Sequence, residues 1–385
     1  MEIASRISRL GTESAFAVLA QARALEAEGR RIVHLEIGEP DFPTPSHIVE
    51  AAIDGLRAGH THYVPAQGTI ELREAVSAFL EKTGRLSAAP DQVVVTPGAK
   101  PIMFYTILAL CQEGDEVLFP DPGFPMYESI TALTGAVPVS VPLREENSFR
   151  VDPAEVESLI TPRSKLLILN SPHNPCGSAL TKEDCEALAD LALRHDLTVL
   201  TDEVYWAIRY EGSHASVLDI DGMPERTVLL DGWSKTFAMT GWRLGFGVFP
   251  AALVEPVTRL VINSVSCTSA FSQDGARAAL EGPWEPVEEM VAEFRIRRDA
   301  IVEGLNRIPG VSCVLPDGAF YAFPNVKELG LTSGELQARL LEEAGVSCLA
   351  GTAFGGWGEG YLRLSYANSL GEIGAALEAF EALVA

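Results

Sequence analysis

The chain has 385 residues, 47% of them hydrophobic and 8% aromatic, enough for a sizeable core divided between two or three domains. Lys and Arg number 29 against 53 Asp and Glu, a formal net charge of −24, which argues against nucleic-acid or anionic-membrane binding because both reward clustered cations. Six scattered cysteines without a Cys-x-x-Cys pair or a nearby His cluster indicate neither a disulfide framework nor a metal site, and no apolar run of about 18 residues occurs, so the expected protein is reduced, soluble and cytoplasmic.

Residues 13–30 space their apolar side chains at helical intervals and stop at Gly29. A short strand then enters the Gly/Pro-rich turn IGEPDFPTP. Gly38 in that turn lets backbone approach a ligand, or is a plain turn glycine. After a helix from His47 to Ala58, Tyr63 lies in an extended loop before another helix centred on Leu72 to Leu80. The strand Val93 to Val95 turns through Pro97-Gly98 into a helix beginning near Lys100. Such a junction collects free N–H groups and a positive helix end, which suits a phosphate, although similar junctions occur in every α/β domain.

The unit then repeats. Strand 117–119 leads to Phe124, either a ring-covering aromatic or loop packing. Strand 166–169 leads to Asn170 and to Asn174, an amide between Pro172 and Pro175 that is a rigid donor or a turn residue. Strand 197–201 delivers Asp202, with Tyr205 three residues later. A carboxylate there is a cap, or the partner of a protonated ring nitrogen. The run Val228 to Leu230 stops before Lys235, which sits among Trp233, Phe237, Met239 and Trp242, with Arg243 eight positions on. A lysine in such company holds more free amine, the form that condenses with a carbonyl, unless its head reaches water.

Strands alternating with helices predict a three-layer α/β fold with a mostly parallel sheet, in which ligands bind beyond the carboxyl ends of the strands. Gly98, Phe124, Asn174, Asp202 and Lys235 each lie past such an end, from five strands, which favours one shared site. Residues 251–280 read as helix and 284–307 as a long charged linking helix. The irregular strands and helices that follow suggest a smaller α+β domain shared with the N-terminal segment. The expected division is 1–45, 46–285 and 286–385. Arg363, in the pattern GYLRLSYA, is a carboxylate fork or an edge-strand ion-pair residue. The glycine cluster 351–360 precedes a strand instead of a helix and is no dinucleotide loop.

Taken in order, IGEPDFPTP, HYVPAQG, NSPHNPCG, TDEVY, SKTFAMTGWRLG and YLRLSYA resemble the motifs of fold-type-I, pyridoxal-phosphate-dependent aminotransferases of class I/II, over nearly the whole chain. The resemblance implies that Lys235 binds the coenzyme aldehyde and moves the substrate proton. It implies that Asp202 pairs with the pyridine nitrogen, that Asn174 and Tyr205 bond the ring oxygen, and that Phe124 stacks on the ring. Gly98, Ala99, Lys100, Ser234 and Arg243 would hold the phosphate, joined by Tyr63 reaching into a neighbouring subunit. Arg363 would clamp the substrate carboxylate, with Gly38, Phe124 and Asn174 beside it. A homodimer with shared sites and small-molecule amino-acid and 2-oxo-acid substrates follows. Two positions depart from the pattern: Cys176 stands where the family usually has threonine, and Gly232 where it often has a phosphate-binding serine.

The expected activity is ping-pong transamination from an L-amino acid, aspartate or similar, to a 2-oxo acid such as 2-oxoglutarate. A β-eliminating lyase of the same fold needs the same core residues and is the alternative. A non-catalytic, coenzyme-holding sensor usually carries a DNA-binding head, whereas here the motifs begin within forty residues of Met1 on an acidic chain.

Overall fold

A computed structural model describes residues 3–385. Its centre is a seven-stranded sheet: β1 (Val93–Thr96), β2 (Glu116–Asp121), β3 (Val137–Pro142), β4 (Ser164–Asn170), β5 (Thr198–Asp202), β6 (Thr227–Gly232) and β7 (Gly245–Val248). The spatial order is β1-β7-β6-β5-β4-β2-β3. Pairings are parallel from β6 through β3, and β7 runs antiparallel to both β1 and β6.

The inner strands are apolar throughout because both faces are covered. Leu166 and Ile168 of β4 face one core, with Val117, Phe119 and Leu200, whereas Leu167 and Leu169 face another, with Leu118 and Val199. Helices joining the strands cover these faces, and their ends are locally encoded. Thr181 accepts from the Asp184 amide, and the Asp184 carboxylate accepts from the Thr181 amide, at the start of Lys182–Arg194.

Two details depart from expectation. The sheet includes β7, which the glycines of GFGV disguise. Gly245 and Gly247 are needed because a side chain at either would strike Ala99 or the Phe249 ring. The helix expected over 251–280 is two, Ala251–Ser264 and Ala270–Glu281, separated where Ser266 adopts φ +64°.

Beyond the long helix Glu285–Leu305, a three-stranded antiparallel sheet places Leu362–Ser365 between Leu349–Ala350 and Tyr321–Ala322. The N-terminal strand Val33–His34 pairs in parallel with Val346–Ser347. This pairing carries residues 36–39 across the carboxyl ends of the large sheet, where the functional cleft opens. No helix among the described residues is long and apolar enough to cross a membrane.

Candidate active site

A cleft of about 570 Å³ lies beyond the carboxyl ends of β2, β4, β5 and β6. Of the residues singled out in the sequence, Gly38, Ala99, Lys100, Phe124, Asn174, Asp202, Tyr205, Ser234, Lys235, Arg243 and Arg363 all line it. Gly98 sits directly behind, with φ +86°, and a Cβ there would overlap the Arg243 guanidinium. Tyr63 is 90% exposed and lies outside this cleft.

Lys235 belongs to the short helix Trp233–Thr236 that follows β6. Its Nζ donates to the Gly38 carbonyl at 2.5 Å and lies 5.9 and 5.8 Å from the ring centroids of Tyr205 and Phe320. Burial, aided by the cations Arg363 and Arg243 and opposed by Glu39 and Glu13, lowers its pKa to about 8. The amine is therefore partly unprotonated near neutrality.

Asp202 ends β5. Its Oδ2 accepts from the Tyr127 hydroxyl at 2.7 Å, and no cation pairs with it among the described residues. Burial raises its pKa to about 6, against the pull of the Tyr127 and Val204 hydrogen bonds. Asn170 fixes the neighbouring loop, donating to the Asp202 carbonyl at 2.9 Å and accepting from the Asn174 amide at 2.9 Å.

Arg363 is the converse, a buried guanidinium that pairs with no carboxylate among the described residues. Its Nη1 donates to the Asn174 side-chain oxygen at 3.1 Å, its Nη2 to the Glu36 carbonyl, and its Nε has no partner. Burial lowers its pKa. At the opposite end, Ala99 opens the helix Lys100–Leu110, and Arg243 donates to the Thr240 carbonyl at 3.0 Å. Lys100 pairs with Glu13 across the mouth of the cleft.

Two groups at the centre were not singled out beforehand. Tyr127 is fully buried in the helix after Phe124, and its ring meets that of Phe124 edge-on at 5.7 Å. Tyr321 brings its hydroxyl 2.7 Å from that of Tyr205. Nothing in their local sequence marks either. Cys176 is buried, and burial holds its thiol protonated, well above the ordinary range. Gly232 lines the cleft in extended backbone, and a Cβ there would come within 3.0 Å of the Leu244 carbonyl.

This donor set fits pyridoxal phosphate. Asp202 lacks, among the described residues, the cation that a protonated ring nitrogen would supply, the start of the helix Lys100–Leu110 and Arg243 offer donors that would suit a phosphate, and the partly unprotonated Lys235 lines the same cleft. Arg363 pairs with no carboxylate among the described residues, and its Nε is left to donate to one.

The comparisons agree. The sequence pattern of the family described as aminotransferase class I and II matches residues 30–380. The chain is 44% identical to an aspartate aminotransferase of Pyrococcus abyssi and 43% identical to aromatic-amino-acid aminotransferase 2 of Thermococcus litoralis, each over 91% of both chains. Its fold matches an aspartate aminotransferase from Thermus thermophilus with maleate at a TM-score of 0.95, with 36% identity and 100% of both chains covered. The chain thus belongs to the class I and II aminotransferases and is a pyridoxal-phosphate-dependent transaminase.

Proposed function

We propose that the enzyme takes the amino group of an L-amino acid, aspartate or a similar one, and delivers it to a 2-oxo acid, 2-oxoglutarate foremost, in two half-reactions at one site. The observation that carries this reading is a buried arginine paired with no carboxylate and a buried aspartate paired with no cation, among the described residues, lining the same cleft as a partly unprotonated lysine.

Bound pyridoxal phosphate would supply an aldehyde for the amine and a protonated ring able to accept electrons from the substrate Cα. Asp202 holds the proton on the ring nitrogen, and Tyr127 orients that carboxylate. Tyr205 and Asn174 donate to the ring oxygen, and Phe124 covers the ring. Gly98, Ala99, Lys100, Ser234 and Arg243 hold the phosphate. Arg363 grips the substrate carboxylate, beside Gly38 and Asn174, so that the Cα–H bond faces Lys235. Lys235 removes that proton as a base and returns it as an acid.

The cleft lining also includes Glu13, Ala15, Phe16, Ile37 and Glu39, of which Phe16 is 63% exposed. Relatives named for aspartate and for aromatic amino acids both support an α-amino acid substrate of that kind. The exposed Tyr63 supports a homodimer in which each subunit completes its neighbour's phosphate site. We further place the enzyme in the cytoplasm and divide the chain at 1–45, 46–285 and 286–385.

A panel of amino acids mixed singly with the coloured holoenzyme tests this. Aspartate should bleach the coenzyme to its aminated form, and 2-oxoglutarate should restore the colour. Pyruvate released from a cysteine-type substrate without an oxo-acid acceptor would instead indicate the lyase, and no bleaching by any amino acid would overturn the proposal.

A further inference from the structure

Tyr321 lies on the strand Tyr321–Ala322, which pairs antiparallel with the strand carrying Arg363, Ser365 standing opposite Tyr321. That register brings three contacts to one phenol. Its hydroxyl is 2.7 Å from the Tyr205 hydroxyl. Its ring centroid is 4.5 Å from the Arg363 guanidinium carbon, which also lies 4.8 Å from the centroid of Phe354. And the space where Gly38 lacks a Cβ is taken by the Tyr321 hydroxyl. Gly38 is small here for a tyrosine of its own chain, whatever the substrate requires, and the same Gly38 carbonyl accepts from Lys235.

We propose that Tyr321 is a positioning residue that joins the carboxylate clamp to the ring-oxygen donor: its ring steadies Arg363, and its hydroxyl donates to Tyr205. This rests on the roles given above to Tyr205 and Arg363. The direction of the bond follows from counting protons. Tyr205 has one, and if that proton goes to the coenzyme oxygen, Tyr205 can only accept from Tyr321. A hydroxyl that accepts one bond becomes a better donor in the next, so Tyr321 strengthens the grip of Tyr205 on an anionic ring oxygen. Both phenols remain protonated at neutral pH because burial raises them. The charged groups facing the pair are Arg363, Asp202, Glu13 and Lys235, and Tyr321→Phe leaves all four residues, and the ring beside Arg363, in place.

The test uses the holoenzyme and two variants. Tyr321→Phe keeps the ring and removes only the hydroxyl, whereas Tyr321→Leu removes both. The readouts are the pH at which the bound coenzyme's visible absorption band changes and the division of any kinetic loss between KM and kcat. Tyr321→Phe should move the spectral transition upward by ~0.5 pH unit or more, because an anionic ring oxygen is held less well, while KM for the amino acid changes by less than about twofold. Tyr321→Leu should show the same spectral shift and also raise KM about fivefold or more, as expected when a partly desolvated cation–π contact is lost. A Tyr321→Phe transition at the parental pH overturns the proposal, and that variant decides even if Tyr321→Leu does not fold. Parental enzyme that develops no visible band with the coenzyme would overturn the assigned roles themselves, and this inference with them.

Discussion

Lys235 Nζ and the Gly38 carbonyl oxygen are 2.5 Å apart, so the amine that follows β6 is held by the segment that crosses the cleft from the N-terminal side. Two residues earlier the Glu36 carbonyl accepts from Arg363. One stretch of backbone, 36–38, thus holds both Lys235 and Arg363, the groups proposed to carry the proton and to grip the substrate carboxylate. Lys235→Ala should lower transamination at least ~10³-fold, within the range a positioned acid–base group supplies, and borohydride should then trap no coenzyme on the chain. With the amine's pKa lowered to about 8, coenzyme capture by the coenzyme-free parent should speed up as pH rises toward 8 and level off above it. A flat rate between pH 6 and about 10 would contradict the buried position of the amine.

Asp202 predicts opposite effects on stability and on function. Burial lifts its carboxyl from 3.8 to about 6, so the folded chain binds a proton more readily than the unfolded one. The stabilisation from that proton is complete below pH ~4 and is lost as pH rises through about 6. At pH 7 the coenzyme-free protein carries a buried anion at a cost on the order of 2–3 kcal/mol. Coenzyme-free Asp202→Asn should therefore resist urea better than the parent at pH 7, with the difference vanishing near pH 4, while the loaded variant transaminates far more slowly. Equal stability at pH 7 would show that the carboxylate is compensated in the folded chain.

Much of this site was legible because of where residues fall relative to strand ends. Gly98, Phe124, Asn174, Asp202 and Lys235 each follow a short apolar run that reads as a covered strand, and a parallel sheet brings such positions to one edge. Arg363 was legible as a charge inside an alternating strand, but its role came from resemblance. Tyr127 and Tyr321 were not legible, since each lies in an ordinary amphipathic or apolar stretch and is aimed at the site only by packing between elements distant in sequence. The strand β7 was hidden for a related reason. Its glycines read as loop until the crowding by Ala99 and Phe249 is seen, a tertiary constraint that overrides local propensity.

Gly98 turns the chain from β1 into the helix Lys100–Leu110 with φ +86°, a conformation that costs a residue with a Cβ roughly 1–2 kcal/mol. Gly98→Ala would add an overlap with the Arg243 guanidinium. The variant should unfold several degrees below the parent and lose coenzyme about tenfold more readily on dialysis. Unchanged retention would separate this junction from the phosphate end of the site.

Behind Asp202 lies a buried charge cluster that the chemistry does not use. Arg85, 6% exposed, donates to Asp231 at 2.6 Å and to Glu203 at 2.8 Å, and lies 4.3 Å from the Trp206 ring centroid. Glu203 also accepts from His214 and Ser216, and these partners together with Arg85 hold its carboxyl well below the ordinary range despite its burial. Asp231 and Glu203 lie at the carboxyl ends of β6 and β5, beside the residues that deliver Lys235 and Asp202. Arg85→Leu removes the only cation that bonds both carboxylates among the described residues, leaving Asp231 without a cation and Glu203 with only His214, Ser216 and Thr201, beside Asp202. The loss should be ~3–5 kcal/mol in denaturant unfolding, the usual consequence of removing one partner from a buried ion pair. Adding Asp231→Asn and Glu203→Gln to that variant should recover part of the loss, because the penalty comes from the stranded charges. A triple variant as unstable as Arg85→Leu would assign the effect to lost packing against Trp206 instead.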